Sequence, residues 1–209
     1  MEFNYIDSIK NIIAIFSIMN PIAAGAILLS IAGERITTKE TEIIARKNSI
    51  AVFIGMIVIL FIGNLILKAF NISVHSIKVI GGVVLFLMAL GMVQGKHKSV
   101  NHSEKDHMHT AEREDISIVP LGFPIILGPG LIATILTLRD QVSGYLDMVI
   151  NAVEFLICVV ISYLILRYIQ VIQKMLSNNG MRVFTRIMGL IVGAISVQMI
   201  IQGVKFLWG

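Results

Sequence analysis

The sequence predicts an all-α transmembrane protein, a six-helix bundle of two inverted three-helix repeats in which helices 1 and 4 are discontinuous. Three observations predict this fold: long runs without a charged residue, a match of the chain with itself at one fixed offset, and the gathering of every proline in two of the runs. Only 14% of the 209 residues are charged and 56% are hydrophobic, whereas a soluble domain carries about 25% charged residues.

Six apolar runs are each long enough for one membrane helix. A helix needs roughly 20 apolar residues to cross the hydrocarbon core, and a strand of a β-barrel would instead alternate in polarity. The apolar stretches are continuous, which favours helices in a multi-pass protein of the cell (inner) membrane. Five runs contain no Asp, Glu, Lys or Arg, and the sixth contains only Glu154: residues 11–33, 48–67, 79–95, 116–138, 187–204 and 148–166.

The distribution of basic residues predicts the orientation. With the N-terminus outside, the cytoplasmic segments carry 12 Lys and Arg residues and the outer segments carry 5. Cytoplasmic loops of membrane proteins are enriched in these residues, so both termini are predicted outside. The net charge of +4 comes from residues at the ends of apolar runs and shows no basic stripe, so no nucleic-acid partner is expected.

The chain is interpreted as one transmembrane domain over residues 1–209, with repeat 1 at 9–95 and repeat 2 at 116–208. Between them lies a polar loop, 96–115, with four of the five histidines. A solvated, flexible linker is favoured over weak metal binding, because the spacing fixes no defined ligand geometry. No metal and no cofactor are predicted.

The repeat is visible when the chain is shifted by 108 residues. Three helices per repeat is an odd number, so the second copy would enter the membrane from the opposite side, as in many secondary transporters. The cations Lys78 and Arg186 would begin the third helix of each copy, as interfacial anchors or as gating or coupling residues. The matches that carry the repeat are Pro21 on Pro129, Asn71 on Asn179, Lys78 on Arg186, Gly81 on Gly189, and Gln94-Gly95 on Gln202-Gly203.

Prolines mark the predicted helix breaks. All four lie in the first helix of a repeat, namely Pro21, Pro120, Pro124 and Pro129. Proline removes a backbone donor and is favoured at the first position of a helix. Asn20-Pro21 and Gly128-Pro129-Gly130 are therefore predicted to begin second half-helices near mid-membrane. Simple proline kinks are the alternative interpretation.

Two helix N-termini facing each other would offer free N–H groups to a carboxylate. An ammonium group would bind carbonyls released by the broken turns, together with the Asn20 side chain. The predicted substrate-binding residues are small or lie at the breaks: Asn20, Pro21, Ala23, Ala24, Gly25, Gly128, Pro129, Gly130 and Thr134.

The segments MNPIAAGAILLS, SIKVIGGVVLFLMALGM and VPLGFPIILGPGLIATIL resemble the signature regions of the MarC family of membrane proteins, over essentially the whole chain. That family is related to the LysE-type exporters. The resemblance implies six helices, transport of small neutral amino acids such as glycine and alanine, and a role for the breaks at Asn20-Pro21 and Pro129-Gly130. At position 78, where this chain has Lys78, the family pattern predicts arginine.

The sequence favours a secondary transporter over an enzyme, since the uncharged runs contain no acidic pair and no nucleophile motif. An exporter of other small metabolites and a non-transporting membrane scaffold are the alternatives. Without an ATP-binding motif, transport would be facilitated or coupled to protons or sodium. Glu154 is either a proton relay or an interfacial residue. Import against export, the coupling ion and homo-oligomerisation stay open.

Overall fold

The computed structural model describes residues 5–32, 36–95, 126–142 and 144–208, and all regular structure within them is helical. The predicted loop 96–115, with its histidines, and Pro120 and Pro124 lie outside the described residues. The described ranges contain seven helices: α1 (Tyr5–Met19), α2 (Pro21–Ala32), α3 (Thr38–Ala69), α4 (Val74–Gln94), α5 (Pro129–Asp140), α6 (Tyr145–Arg167) and α7 (Ile169–Trp208).

Five stretches of the described chain are long and apolar enough to cross a membrane. The first combines α1 and α2, and the others are α3, α4, α6 and the part of α7 after a kink at Ser177, where φ is 55°. Helix α5 has 12 residues, about 18 Å of helix, and does not span alone. The residues that would complete its span, 116–125, are not described, so the count of six remains a prediction.

Large apolar side chains cover the outer faces of these helices. Leu65 is 68% exposed, Leu190 65% and Leu87 63%. An apolar exterior of this kind would be unstable in water and suits contact with lipid tails. The interior is packed around fully buried side chains from several helices, including Ile15, Met56, Leu60, Leu85, Ile135 and Phe155.

Close helix packing is made possible by glycines, most clearly between α4 and α7. A Cβ on Gly82 would lie 2.8 Å from the carbonyl oxygen of Ser196, and one on Gly203 would lie 2.7 Å from that of His75. His75 near the start of α4 faces Gly203, and Gly82 further along α4 faces Ser196. The two helices are therefore antiparallel. Small residues allow this approach of backbones in membrane helices.

The helix ends show which residues stop and start each segment. Thr37 caps α3, with its hydroxyl accepting from the Glu40 N–H at 3.2 Å while the Glu40 carboxylate accepts from the Thr37 N–H at 2.8 Å. Gly95 ends α4 with φ +69°, the left-handed conformation that suits glycine. The helices α2 and α5 both begin with proline and both contain 12 residues, at the same offset of 108 as the sequence match.

Candidate functional site

The first predicted break is a single residue. Helix α1 ends at Met19, α2 begins at Pro21, and Asn20 between them has φ 40° and is 4% exposed. Positive φ is uncommon outside glycine, and asparagine is among the residues that tolerate it. Pro21 has no N–H and so cannot donate to the carbonyl of Ser17, which loses its normal helical partner.

The Asn20 side chain caps the new helix. Its oxygen accepts a hydrogen bond from the N–H of Ala23 at 3.4 Å, and its backbone carbonyl accepts from the N–H of Ala24 at 3.1 Å. Its buried amide nitrogen has no hydrogen-bond partner among the described residues. The side-chain oxygen, which the sequence led us to expect for an ammonium group, is therefore occupied, and Asn20 offers a free donor instead.

The second predicted break also begins a helix. Gly128 is the N-cap of α5, with extended backbone and no side-chain cap, and Pro129 is the first helical residue. The carbonyl of Gly128 accepts from the N–H of Ile132 at 3.1 Å. Gly128 is half-buried, Pro129 is exposed and Gly130 is buried. Gly128 therefore has no side chain that could accept a hydrogen bond from the first-turn N–H groups of α5.

The predicted small residues lie at helix contacts. Ala24 is buried and Ala23 is partly exposed, while a Cβ on Gly25 would overlap Ile169 of α7. A Cβ on Gly130 would overlap Leu85 of α4. These two glycines therefore bring neighbouring helices close to the breaks, a packing role that the sequence did not indicate.

Thr134 is buried on α5, and its hydroxyl donates to the carbonyl of Gly130 at 2.9 Å. This bond to the preceding turn of the same helix occupies the hydroxyl proton and leaves only the oxygen lone pairs for a ligand. Thr134 is therefore less available as a donor than its sequence position predicts.

Glu154 lies inside the bundle. It is 3% exposed, its Oε2 accepts from Asn11 Nδ2 of α1 at 3.2 Å, and it has a second side-chain hydrogen bond with Ser8. It is nine residues into α6, about 14 Å along the axis. A buried acid between two membrane helices is by default a functional candidate.

The two paired cations have different surroundings. Lys78 is 8% exposed on α4, and the described part of the chain provides it with no ion pair. Arg186 is exposed, and its Nη2 lies 3.3 Å from the position of a Cβ on Gly95. Arg186 thus adjoins the C-terminal end of α4, where a cation is favoured by the helix dipole.

Sequence reasoning missed several buried polar residues, among them Asn48, Ser49 and Ser162. Asn48 is 1% exposed, Ser49 7% and Ser162 2%, and each has a side-chain oxygen without a partner among the described residues. Their signal was available, because they are polar residues within long apolar runs. Periodicity alone did not show that they face the interior.

Comparison with known proteins gives the family. A sequence model described as MarC family integral membrane protein matches residues 5–208. The chain belongs to the MarC family. It is 35% identical to UPF0056 membrane protein YvbG of Bacillus subtilis over 98% of this chain and 96% of that protein.

Two other relatives are less similar in sequence. UPF0056 membrane protein MJ1677 of Methanocaldococcus jannaschii is 32% identical over 92% of this chain and 93% of that protein. For YhcE of Escherichia coli the identity is 28%, over 94% of this chain and 91% of that protein. No solved structure matches the chain. The family assignment and the apolar helices together make this a multi-pass integral membrane protein.

Proposed function

We propose that this MarC family protein is a secondary transporter of small neutral amino acids of the glycine and alanine class. The observation that carries the proposal is the break at Asn20, where a buried helix N-terminus adjoins an amide nitrogen without a partner in the described structure. The partial positive charge of a helix start, together with the Asn20 amide N–H, favours a carboxylate. Ile169 and Leu85 pack tightly against Gly25 and Gly130, close to the two breaks, and this crowding favours a substrate with a small side chain.

The bundle is proposed to consist of two inverted repeats. Helix α2 shifted by 108 residues gives the bounds of α5, and α3 shifted in the same way ends at the kink of α7, Ser177. The contact of Gly82 with Ile200 also has a counterpart under the shift. It would become residue 190 with Met92. In the structure the neighbouring Gly189 packs against Met92, since a Cβ on Gly189 would lie 2.8 Å from Met92 Cβ.

This arrangement supports a site between the two half-helices. With both termini outside, α2 would run from the membrane centre towards the cytoplasm and α5 from the centre outwards. Their N-termini would then point towards each other, as in transporters built from discontinuous helices. The alternative of isolated proline kinks does not account for two half-helices of equal length at matching positions.

Proton coupling through Glu154 is the proposed energy source. Its carboxyl group joins α1, which carries the first break, to α6, which packs against α1 and α2. A change of its protonation state would alter the hydrogen bond to Asn11 and hence the contact between the two helices. A purely transporting role, with no covalent chemistry, is proposed for the protein.

Transport of labelled alanine into proteoliposomes tests the function directly. The full chain is reconstituted, and uptake is measured with a proton gradient, with a sodium gradient and with neither. We expect alanine and glycine uptake under the proton gradient, competition by serine, and none by lysine, whose second cation would lack a partner. A correctly folded protein that neither binds nor transports alanine would show that the proposal is wrong and favour the scaffold role.

A further inference from the structure

Four buried polar side chains, at the first break and on α3 and α6, have atoms without hydrogen-bond partners among the described residues: Asn20 Nδ2, Asn48 Oδ1, Ser49 Oγ and Ser162 Oγ. All four residues are less than 10% exposed. An unpaired buried polar atom costs free energy, so native proteins pair nearly all of them with protein, water or ligand. Four such atoms at one level of the bundle, which the helix registers indicate, would favour a bound molecule.

The register of α1 against α6 brings Ser162 to the level of Asn20. Asn11 Nδ2 lies 3.2 Å from Glu154 Oε2, and Cys158 Sγ lies 3.5 Å from the carbonyl oxygen of Ile12. The later residue of α1 faces the later residue of α6, so the two helices are parallel. Continued along the axes, the two pairs place the level of Asn20 at positions 163 and 166 of α6, which is one to four residues, or about 2–6 Å, from Ser162.

The register of α3 against α6 brings Asn48 and Ser49 to the same level. Arg167 Nη2 lies 3.2 Å from Glu42 Oε1, and Gln170, just beyond α6, donates to Thr41 Oγ1 at 3.4 Å. Here the earlier residue of α3 faces the later residue at the end of α6, so the two helices are antiparallel. Asn48 lies six residues after Glu42 on α3. In an antiparallel pair, the same level on α6 lies six residues before Arg167, at position 161, next to Ser162.

The chemistry of the unpaired atoms divides into a donor and three acceptors. Asn20 provides an N–H beside the start of α2, since its oxygen already accepts from Ala23. Asn48, Ser49 and Ser162 provide three oxygens, and an ammonium group has three N–H donors. We propose that these three residues bind the ammonium group of the substrate amino acid, whose carboxylate lies against Asn20 and the N-terminus of α2.

This inference rests on the proposed function and adds the residues of α3 and α6 that recognise the ammonium group. It also predicts specificity. A carboxylic acid without an amino group would use only the Asn20 side of the site, and a second cationic group would find no carboxylate among these four residues.

Binding by the purified full-length protein tests the assignment. The variants are Asn48→Leu and Ser162→Ala, with Thr185→Val as control, because the buried Thr185 hydroxyl donates to Met181 in its own helix at 2.9 Å. Melting temperature is measured without ligand and with alanine, propionate or sodium chloride. Ligand that binds only the folded protein raises this temperature.

We expect Asn48→Leu and Ser162→Ala to weaken alanine binding by about tenfold, the usual effect of losing one buried hydrogen bond, without changing the weak binding of propionate. Without ligand, both variants should melt at or above the wild-type temperature, because an unpaired polar atom has been removed. Thr185→Val should bind alanine like the wild type.

Three outcomes would overturn the assignment. If both variants bind alanine with wild-type affinity, the ammonium group binds elsewhere, although the proposed function stands. If the unliganded variants melt below the wild type and below Thr185→Val, the three residues stabilise the fold instead. If sodium alone stabilises the wild type and the variants abolish that effect, the oxygens bind a cation. A wild-type protein without any response to alanine, in binding or in transport, would reject the proposed function itself.

Discussion

The side-chain oxygen of Asn20 accepts a hydrogen bond from the N–H of Ala23 at 3.4 Å, while the amide nitrogen of the same residue has no partner in the described structure. One side chain therefore has two separable roles. The oxygen stabilises the start of α2, as N-cap residues do, and the nitrogen is free to bind a ligand. Substitutions at this position can remove one role and keep the other.

Asn20→Asp is expected to fold normally and to lose alanine binding. Aspartate keeps the capping oxygen and is favoured by the helix dipole, but it removes the N–H donor and places a negative charge where the carboxylate would lie. We expect at least a tenfold loss of affinity, measured by titration calorimetry, with a melting temperature above that of Asn20→Ala, which lacks the capping oxygen. Normal alanine binding by Asn20→Asp would contradict the donor role.

Asn20→Ala provides the contrasting control. Alanine is disfavoured at φ 40° and cannot cap the helix, so this variant should lose about 1–3 kcal/mol of stability as well as affinity. Asn20→Gly, which tolerates the positive φ, should be more stable than Asn20→Ala and equally weak in binding. If the two variants are equally unstable, the backbone conformation at Asn20 is not under strain.

The sequence predicted the helix starts at positions 21 and 129 because proline acts locally. Its missing donor and fixed φ have the same effect whatever surrounds the chain. The packing of Gly25 against Ile169 and of Gly130 against Leu85 depends on how separate helices meet. Apolar residues are nearly interchangeable as sequence signals, so nothing in the pattern identified these contacts.

The buried polar residues show the same limit. Glu154 was recognised as the one charged residue in its run, but its partner Asn11 is 143 positions away in the chain. Asn48 and Ser162 lie on different helices, and only the packed registers of α1, α3 and α6 bring them to one level. A membrane helix that is apolar on all sides gives no periodicity from which its inward face can be predicted.

Substitutions at Gly82 should show that α4 and α7 are held by direct backbone approach. In Gly82→Ala the new Cβ would lie 2.7 Å from Ile200 Cγ1 and 2.8 Å from the Ser196 carbonyl, which forces the helices apart and costs about 1–3 kcal/mol. The control is Gly193→Ala on α7, whose Cβ would lie 3.6 Å from Ala89 Cβ. Thermal unfolding in detergent should show a lower melting temperature for Gly82→Ala only, and equal melting temperatures would argue against this packing.

Labelling of single cysteines tests the inverted topology. Cys158 is buried and is first replaced by serine. Cysteines are then introduced at Ile72, before α4, at Gly144, before α6, and at Lys39, near the start of α3, all three exposed. In intact cells a membrane-impermeant thiol reagent should label Ile72→Cys and Gly144→Cys, whereas Lys39→Cys should react only after the membrane is opened. Labelling of Lys39→Cys and Gly144→Cys from the same side would show that the proposed inversion is wrong.

Glu154→Gln is expected to separate proton coupling from substrate binding. Glutamine keeps the size of the side chain and an oxygen that can accept from Asn11 Nδ2, so the contact between α1 and α6 should persist and the protein should fold. It cannot take up or release a proton, so uptake of alanine driven by a proton gradient should fall by at least tenfold. Exchange of labelled for unlabelled alanine across the same membrane needs no net proton movement and should continue at close to the wild-type rate.

Asn11→Ala is the matched variant, because it removes the hydrogen bond and leaves the carboxyl group free to titrate, so it should retain gradient-driven uptake. If Glu154→Gln still accumulates alanine against a gradient, Glu154 has a structural role and the coupling residue lies elsewhere.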